Sequence, residues 1–309
     1  MCNYQNNIMS LFTDNFPITK SDEDLKRLQV QFPDYDGWYI ASGSIPERKR
    51  FFDELYEKFK SYADSNFLVD VKSNFHQRTW EMYLACLLLE KGFQISSNDR
   101  GPDIRLVVDN KTIWIECVAP QKGDKDGENH VPDMKYNGVW QDVPEKQMLF
   151  RLRNSLAEKF KVYERYVSDG VVKKDDIFII AINRASLDHV DTGIPLIFKV
   201  LFGIGYLSYP LLKSSEKKKG SRFGKPFWSL QKEVPKKNGS SVPMDFFQDS
   251  VHSGISAVIY SKETVLSCRE KTGRECVLAH NSFALNPLSE SAFPFFEQYK
   301  AIEDKIIKI

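Results

Sequence analysis

The chain has 309 residues, of which 42% are hydrophobic and 28% are charged, and its formal net charge is +1. These values exclude an intrinsically disordered chain and a fibrous protein, and the length suffices for one large domain or two ordinary domains. The longest apolar run, Met82 to Leu89, falls far short of the roughly 20 residues that a membrane-spanning helix needs.

The N-terminus and the cysteines indicate the cellular compartment. The first residues lack the basic flank and the apolar stretch of a secretory signal, so we expect a cytoplasmic protein with no membrane partner. The five cysteines are an odd number and contain no CxxC pair, which argues against a disulfide framework and against a structural zinc site.

Residues 1–70 are predicted to be an N-terminal helical region. Residues 21–29 are typical of a short helix, and a longer helix follows, with aromatic and leucine side chains at helical spacing over residues 52–62. Ser44 and Glu47 have the spacing of a capping box, which predicts that this longer helix is capped by Ser44.

Residues 71–190 alternate between helical and strand-like patterns. The patterns predict a nearly all-apolar helix (74–91), three strands (93–96, 102–108 and 112–118), a long amphipathic helix (144–167) and a buried strand (176–183). This α-β-β-β-α-β order predicts an α/β fold, with a central mixed β-sheet flanked by helices.

Residues 191–309 are predicted to be a C-terminal α+β extension. Strands are expected at 255–261 and 275–281, and a final helix is expected over 293–309. Between them, residues 213–240 are predicted to be a basic loop. Nine basic residues stand against two acidic residues from 213 to 237, so positive charge is concentrated in this segment.

Two carboxylates occupy a predicted hairpin. Asp109 and Asn110 favour a two-residue turn, because both residue types tolerate positive φ. Regular pairing across that turn places Asp103 directly opposite Glu116, with Cβ atoms about 4.5–5.5 Å apart. Two like charges so placed destabilise a sheet unless a positive group lies between them. A hard cation such as Mg²⁺ would serve, since it binds carboxylate oxygens.

A third acid, Glu81, begins the apolar stretch of helix 74–91, where an unpaired charge is costly. Asp103, Glu116 and Glu81 together predict a metal site. Three alternatives stay open at this point. Glu81 would be a first-turn acid that reaches water, Asp103 would only open a strand, or Glu116 would pair with Arg105 on the partner strand.

The order of these elements resembles the PD-(D/E)XK, or restriction-endonuclease-like, nuclease superfamily over residues 74–183. Pro102 and Asp103 match its PD element, Glu116 matches its second acid, and Glu81 matches the acid often found on the first core helix. The resemblance implies hydrolysis of phosphodiester bonds with Mg²⁺, or Mn²⁺ in its place, held by these three acids.

The motif lysine of that superfamily is missing, because Val118 stands at its position. In some members this lysine lies on a different element and keeps its place in space. Lys159, on the helix after the hairpin, is therefore our first candidate for the catalytic lysine, and Lys122 and Gln121 are the alternatives.

The resemblance also implies a nucleic-acid partner. Aromatic residues interleave the basic segment, a composition suited to backbone contacts and base stacking. Our candidate contacts are Gln77, Arg78, Lys217, Lys218, Lys219, Arg222, Lys225 and Trp228. We expect an endonuclease acting on DNA, with restriction or defence as its role by analogy, and we also consider a homodimer. The alternative is a catalytically inactive nucleic-acid-binding or protein-interaction module.

Overall fold

The computed structural model describes residues 9–97, 100–135, 137–190, 193–213, 222–302 and 305–309. Within these ranges the helices are α1 (Asp22–Gln31), α2 (Gly37–Ser44), α3 (Pro46–Phe59), α4 (Phe67–Asp70), α5 (Phe75–Glu90), α6 (Glu145–Ser168) and α7 (Leu196–Phe202). The strands are β1 (Ile95–Ser96), β2 (Ile104–Val108), β3 (Lys111–Val118), β4 (Ile177–Asn183), β5 (Ile204–Ser208), β6 (Phe227–Leu230), β7 (Glu233–Pro235), β8 (Ser241–Pro243), β9 (Ala257–Ser261), β10 (Cys276–His280), β11 (Glu297–Ile302) and β12 (Lys305–Lys308).

An eight-stranded mixed sheet runs through the molecule in the order β1-β2-β3-β4-β9-β10-β11-β12. Strands β3, β4 and β9 are parallel to one another, whereas β2 and β3 form an antiparallel hairpin. The central strand β4 is buried along its whole length, which explains its continuous apolar sequence. The predicted central mixed sheet with flanking helices is confirmed.

The two faces of the sheet carry different helices. Ile179 and Ala181 of β4 pack with α5 and the N-terminal helices, while Phe178 and Ile180 pack with α6 and α7 on the other face. Helix α5 is apolar nearly all round because the sheet covers one side of it and α2 and α3 cover the other. No helix within the described ranges is long and apolar enough to cross a membrane.

The hairpin register agrees with the sequence prediction. Asp109 and Asn110 form the turn with φ angles of 50° and 62°, in the left-handed region that a two-residue hairpin turn requires. The ladder runs from the Val108–Lys111 pair to the Ile104–Ile115 pair. The pairing therefore brings the two predicted hairpin carboxylates to the same end of the hairpin.

Three predictions of local structure are wrong. Ser44 does not cap α3; it is the last residue of α2, and Ile45 precedes α3 without a side-chain cap bond. The expected C-terminal helix is instead the strand pair β11 and β12, because β11 joins the exposed edge of β10 in parallel. The expected basic loop contains β6 and β7, since β6 pairs with β5 and β7 pairs with β8.

A hydrogen bond fastens α5 to the centre of the sheet and predicts a measurable loss of stability when it is removed. The indole of Trp80, which is 1% exposed, donates from Nε1 to the carbonyl oxygen of Ala181 at 2.9 Å. We expect Trp80→Phe to lower the free energy of unfolding by about 2 kcal/mol, because it deletes this bond and leaves unfilled space. Urea denaturation would measure it. Trp140→Phe is the control, since Trp140 is 99% exposed and its substitution should change nothing. Equal effects of the two substitutions would contradict the assignment.

Candidate functional site

Three acidic side chains come together at the open end of the β2–β3 hairpin. Glu116 lies in β3 and is 5% exposed, Glu81 lies in α5 and is 3% exposed, and Asp103 is half-buried directly before β2. They are the three acids that the sequence singled out. Their burial means that each charge must be compensated by a neighbouring group.

Glu116 lies on the sheet face that α6 covers. Its neighbours Ile115 and Cys117 pack towards α5, and side chains alternate along a strand, so Glu116 points to the opposite face. Asp103 lies directly before β2, at the open end of the hairpin. The carboxylate of Asp103 accepts a hydrogen bond from the backbone N–H of Cys117, with an Oδ2–N distance of 2.6 Å. This bond extends the β2–β3 hydrogen-bond ladder by one step, with a side-chain oxygen as the acceptor, and it fixes the position of Asp103.

Gln77 fastens the start of α5 to the end of β3. Its Nε2 donates to the carbonyl oxygen of Cys117 at 3.1 Å, and its Oε1 accepts from the N–H of Ala119 at 2.7 Å. Glu81 lies one helical turn further along α5 and is thereby placed near the hairpin end. The Gln77 amide was a candidate phosphate contact, but it serves the backbone of β3 instead.

Arg78 binds three carboxylates at once. Its guanidinium lies 2.9 Å from Glu81, 2.8 Å from Asp64 and 2.5 Å from Asp70. In the free protein Arg78, like Gln77, is thus occupied by groups of the chain itself, and their contact with nucleic acid stays a prediction. No sequence pattern pointed to Asp64 and Asp70, because Asp64 lies outside any regular element and Asp70 ends the four-residue helix α4, which is too short to show periodicity.

Lys159 of α6 supplies the cation on the other side. Its Nζ lies 2.6 Å from Oε1 of Glu116. The structure thus brings the first of our three candidate residues to the acid pair, from a different element than Val118. The alternatives, Lys122 and Gln121, line a separate cleft beyond the end of β3.

Two alternative interpretations of the acids are wrong. Glu81 does not reach water, because only 3% of it is exposed and Arg78 binds it. Arg105 does not pair with Glu116; its guanidinium carbon lies 5.6 Å from the ring centre of Trp114 instead. The acids are therefore held by cations that come from the two helices flanking the sheet.

The electrostatics of the cluster favour protonation of the acids. Burial raises the pKa of Glu81 and of Glu116, and the charge of Asp103 raises both further, against the opposing effects of Arg78 and Lys159. Burial also raises the pKa of Asp103. Burial alone would lower the pKa of Lys159, but the charges of Glu116 and Asp103 outweigh it and raise that pKa, so the ammonium stays charged.

One carboxylate oxygen of this cluster is orphaned. Oε2 of Glu116 is buried and has no hydrogen-bond partner among the described residues. A buried polar atom in this state costs about 1–3 kcal/mol unless a ligand or water satisfies it. The nearby hydroxyl of Tyr166 donates to the carbonyl oxygen of Gly101 at 3.2 Å. Burial, then the charges of Glu116 and Asp103, and then a weak interaction of its hydroxyl with the Glu116 carboxylate raise the pKa of this tyrosine. The hydroxyl lies near Glu116 but is committed to Gly101, so Oε2 has no full hydrogen bond.

The three acids do not form a three-ligand metal site. Over the described ranges, no group of three acidic, histidine or cysteine side chains is arranged to hold a metal ion. The physical reason for Glu81 is that Arg78 already binds its carboxylate. Asp103 and Glu116 remain as a two-carboxylate pair. That pair fits Mg²⁺, which is often bound by one or two carboxylates together with water and substrate phosphate.

An acid-lined cleft of about 270 Å³ opens next to the cluster and is lined by Glu81, Arg78, Asp103 and the turn 64–66. Solvent and a small group can therefore reach Asp103.

No protein-family model, curated protein or solved structure matches this chain significantly. The geometry of its own residues must carry the functional argument.

The raised pKa of Asp103 predicts how stability depends on pH. An acid with a raised pKa in the folded state stabilises the fold at low pH and loses that contribution as the pH rises through the raised pKa. We expect Asp103→Asn to be more stable than wild type at pH 8, and this advantage to shrink as the pH falls through the raised pKa of Asp103. Urea denaturation over this pH range measures the difference.

The control for this prediction is Asp109→Asn, at the exposed turn of the same hairpin. Because this side chain is exposed, the same change from acid to amide removes no buried charge there and should alter stability less than Asp103→Asn does at pH 8. If Asp103→Asn instead lost stability at pH 8, the carboxylate would be a structural partner of Cys117 and not a strained charge.

Proposed function

We propose that this protein is a Mg²⁺-dependent nuclease that hydrolyses phosphodiester bonds of nucleic acid, with DNA as the first substrate to test. The observation that carries the proposal is the ion pair of Lys159 with Glu116, at 2.6 Å, next to the orphaned second oxygen of the same carboxylate. A buried acid with one oxygen on a lysine and the other unsatisfied is suited to bind a cation or a water. A purely structural ion pair gains nothing from the orphan.

The element order supports the same proposal. Helix α5, strands β1, β2 and β3, helix α6 and strand β4 follow one another over residues 75–183. This is the order expected of a restriction-endonuclease-like core, with Asp103 and Glu116 at the hairpin end. Lys159 would take the role of the missing motif lysine from a neighbouring helix.

The residues of the chain would divide the chemistry among them. Asp103 and Glu116 would hold Mg²⁺, which when bound polarises a phosphate and lowers the pKa of a water molecule. The backbone N–H of Cys117 would keep the Asp103 carboxylate oriented. Lys159, which stays protonated, would donate to the phosphate oxygen on which negative charge develops. Arg78 would keep Glu81 from adding a further uncompensated charge.

The β5–β6 hairpin is the proposed contact for nucleic acid. Arg222 and Lys225 are exposed beside it, and Trp228 is 40% exposed on β6. Phe223 and Phe227 expose 52% of their surface each, so rings and cations alternate on this hairpin. That mixture suits phosphate contacts together with base stacking. The remaining candidates, Lys217, Lys218 and Lys219, lie outside the described residues.

A non-catalytic nucleic-acid-binding or protein-interaction module is the second candidate. It is favoured by the finding that, in the described part of the chain, no three side chains form a metal-binding group. It would treat the pair of Lys159 and Glu116 as a structural link between α6 and the sheet. The two experiments below separate it from the nuclease.

The first experiment is thermal unfolding with and without Mg²⁺ or Mn²⁺. A ligand that binds only the folded state stabilises it, by about 2.7 kcal/mol at a hundred times its dissociation constant. We expect the metal to raise the melting temperature of wild type and of the control Glu164→Gln, an exposed position on α6. Glu116→Gln and Asp103→Asn should abolish the shift. No shift in wild type would remove the metal from the proposal.

The second experiment measures cleavage of supercoiled, linear and single-stranded DNA and of RNA with Mg²⁺ or Mn²⁺. We expect Lys159→Ala to lower the cleavage rate by about 10²–10³-fold, because it removes a preorganised donor to the developing charge. Lys161→Ala, exposed on the same helix, should retain the wild-type rate. Metal binding without cleavage of any substrate would favour the non-catalytic module.

A further inference from the structure

A second cleft, of about 680 Å³, lies beyond the end of β3 and is lined in part by Trp38, His76, Gln121, Lys122 and Arg151. Its volume falls within the range of about 300–1,000 Å³ that is usual for small-molecule pockets. It is also more than twice the volume of the acid-lined cleft. The nuclease chemistry described above does not use any of its residues.

The second cleft sits where α/β proteins commonly bind ligands. Gln121 follows the end of β3, and Ser186 follows the end of β4, so one wall comes from the carboxyl ends of two parallel strands. The opposite wall comes from the first turns of α2 and α5. Gln121 lies five residues after Glu116, a stretch of chain that spans at most about 17 Å. A polynucleotide at the acid pair could therefore reach this cleft.

Trp38 provides a stacking surface at the cleft. The residue is 38% exposed, and its ring meets the imidazole of His76 edge-on with 5.3 Å between centroids. The guanidinium of Arg48 lies 5.9 Å from the indole centre. Asp36 holds the start of α2 by accepting from the N–H of Trp38 at 2.7 Å. The indole is thus fixed in place and still accessible for a flat ligand.

The polar lining favours a nucleobase that carries an amino group. Asp36, Asp124 and Asp188 line the cleft with carboxylates, and Asn129 adds an amide. Carboxylates accept hydrogen bonds from exocyclic amino groups of bases. Burial and, to a smaller extent, the charge of Lys122 lower the pKa of His76 to about 4, so the imidazole is neutral at pH 7. A neutral imidazole both donates and accepts, as a base edge requires.

Two cations are available for the phosphate attached to such a base. Lys122 pairs with Asp133 at 2.7 Å, but the Asp133 side chain is 79% exposed, and surface pairs of this kind are weak. Arg151 donates its Nε to the carbonyl oxygen of Gln121 at 2.6 Å, which positions the guanidinium at the wall. A guanidinium carries four further N–H donors, in a geometry that suits phosphate.

We propose that the second cleft binds one nucleotide unit, with an amino-bearing base stacked on Trp38 and its phosphate at Lys122 and Arg151. The unit is either a base turned out of a polynucleotide or a free nucleotide. The first source rests on the proposed nuclease function, since the polynucleotide would then be the substrate. Bases without an exocyclic amino group, uracil and thymine, bind less tightly because the carboxylates then lack donors.

The test uses the full chain carrying Glu116→Gln, without metal, so that binding is measured apart from cleavage. Calorimetry and tryptophan fluorescence follow titrations with the 5′-monophosphates of guanosine, cytidine, adenosine and uridine. We expect saturable binding of the first three, with uridine monophosphate weaker by about tenfold. Trp38→Leu should abolish binding measured by calorimetry. Trp140→Leu, at a 99% exposed site outside the cleft, should leave it unchanged.

Two variants guard against trivial outcomes. If Trp38→Leu does not fold by circular dichroism, Lys122→Gln, which removes one of the two proposed phosphate contacts, takes its place in the same titration. Arg151→Gln should weaken the monophosphates and spare the nucleosides. The proposal is overturned if none of the monophosphates binds, or if the folded variants among Trp38→Leu, Lys122→Gln and Arg151→Gln bind the monophosphates as wild type does.

The source of the nucleotide is separated with oligonucleotides that contain 2-aminopurine, an amino-bearing base whose fluorescence rises when it leaves the stack. Because stacking on an indole quenches this fluorescence, a low signal in the wild-type complex that rises in the Trp38→Leu complex identifies a base turned out of a polynucleotide onto Trp38. Binding of monophosphates alone identifies a free nucleotide. Monophosphate binding without any cleavage would overturn the nuclease and leave this site. Cleavage without nucleotide binding would support the nuclease and overturn the nucleotide site.

Discussion

The arrangement of the molecule depends on a cluster of three acidic side chains whose charge is compensated by two cations. Burial raises the pKa of Glu81, Asp103 and Glu116, and the charge of Asp103 raises the pKa of the two glutamates further, so the cluster is stable only with positive charge beside it. Arg78 supplies that charge from α5, and Lys159 supplies it from α6. The two helices lie on opposite faces of the sheet, so the cluster ties both layers to the hairpin end.

The two cations compensate the negative charge of the acids unequally, and this difference has chemical consequences. Arg78 is shared by Glu81, Asp64 and Asp70, which neutralises the α5 side with acids of the protein itself. On the α6 side, Lys159 satisfies one oxygen of Glu116 and leaves the other without a partner among the described residues. Binding capacity is therefore concentrated at Glu116 and Asp103. A structural salt-bridge network would distribute its partners more evenly.

The end of β3 links the two clefts. Gln77 of α5 binds the backbone of Cys117 and Ala119. Glu116 of the acid pair directly precedes these two residues in the chain, and Gln121 of the second cleft follows them. His76, the neighbour of Gln77, lines the second cleft. The start of α5 and the end of β3 thus set the positions of both the acid pair and the second cleft. A chain of nucleotides that passes this strand end would meet the acids and the stacking surface in succession.

The sequence by itself determined the elements whose signals are local. Periodicity located α5, α6 and β4, and the turn chemistry of Asp109 and Asn110 determined the register that brings Asp103 and Glu116 together. The sequence also placed Lys159 first among three candidates for the missing motif lysine, but it offered no means of choosing among them. Only the tertiary structure decided the rest. Arg78 was assigned to a phosphate because the acids that bind it, Asp64 and Asp70, come from another segment. Residues 297–302 and 305–308 form strands because the edge of β10 offers hydrogen bonds that outweigh a helical pattern. Contacts between distant segments select partners, and no local pattern carries that information.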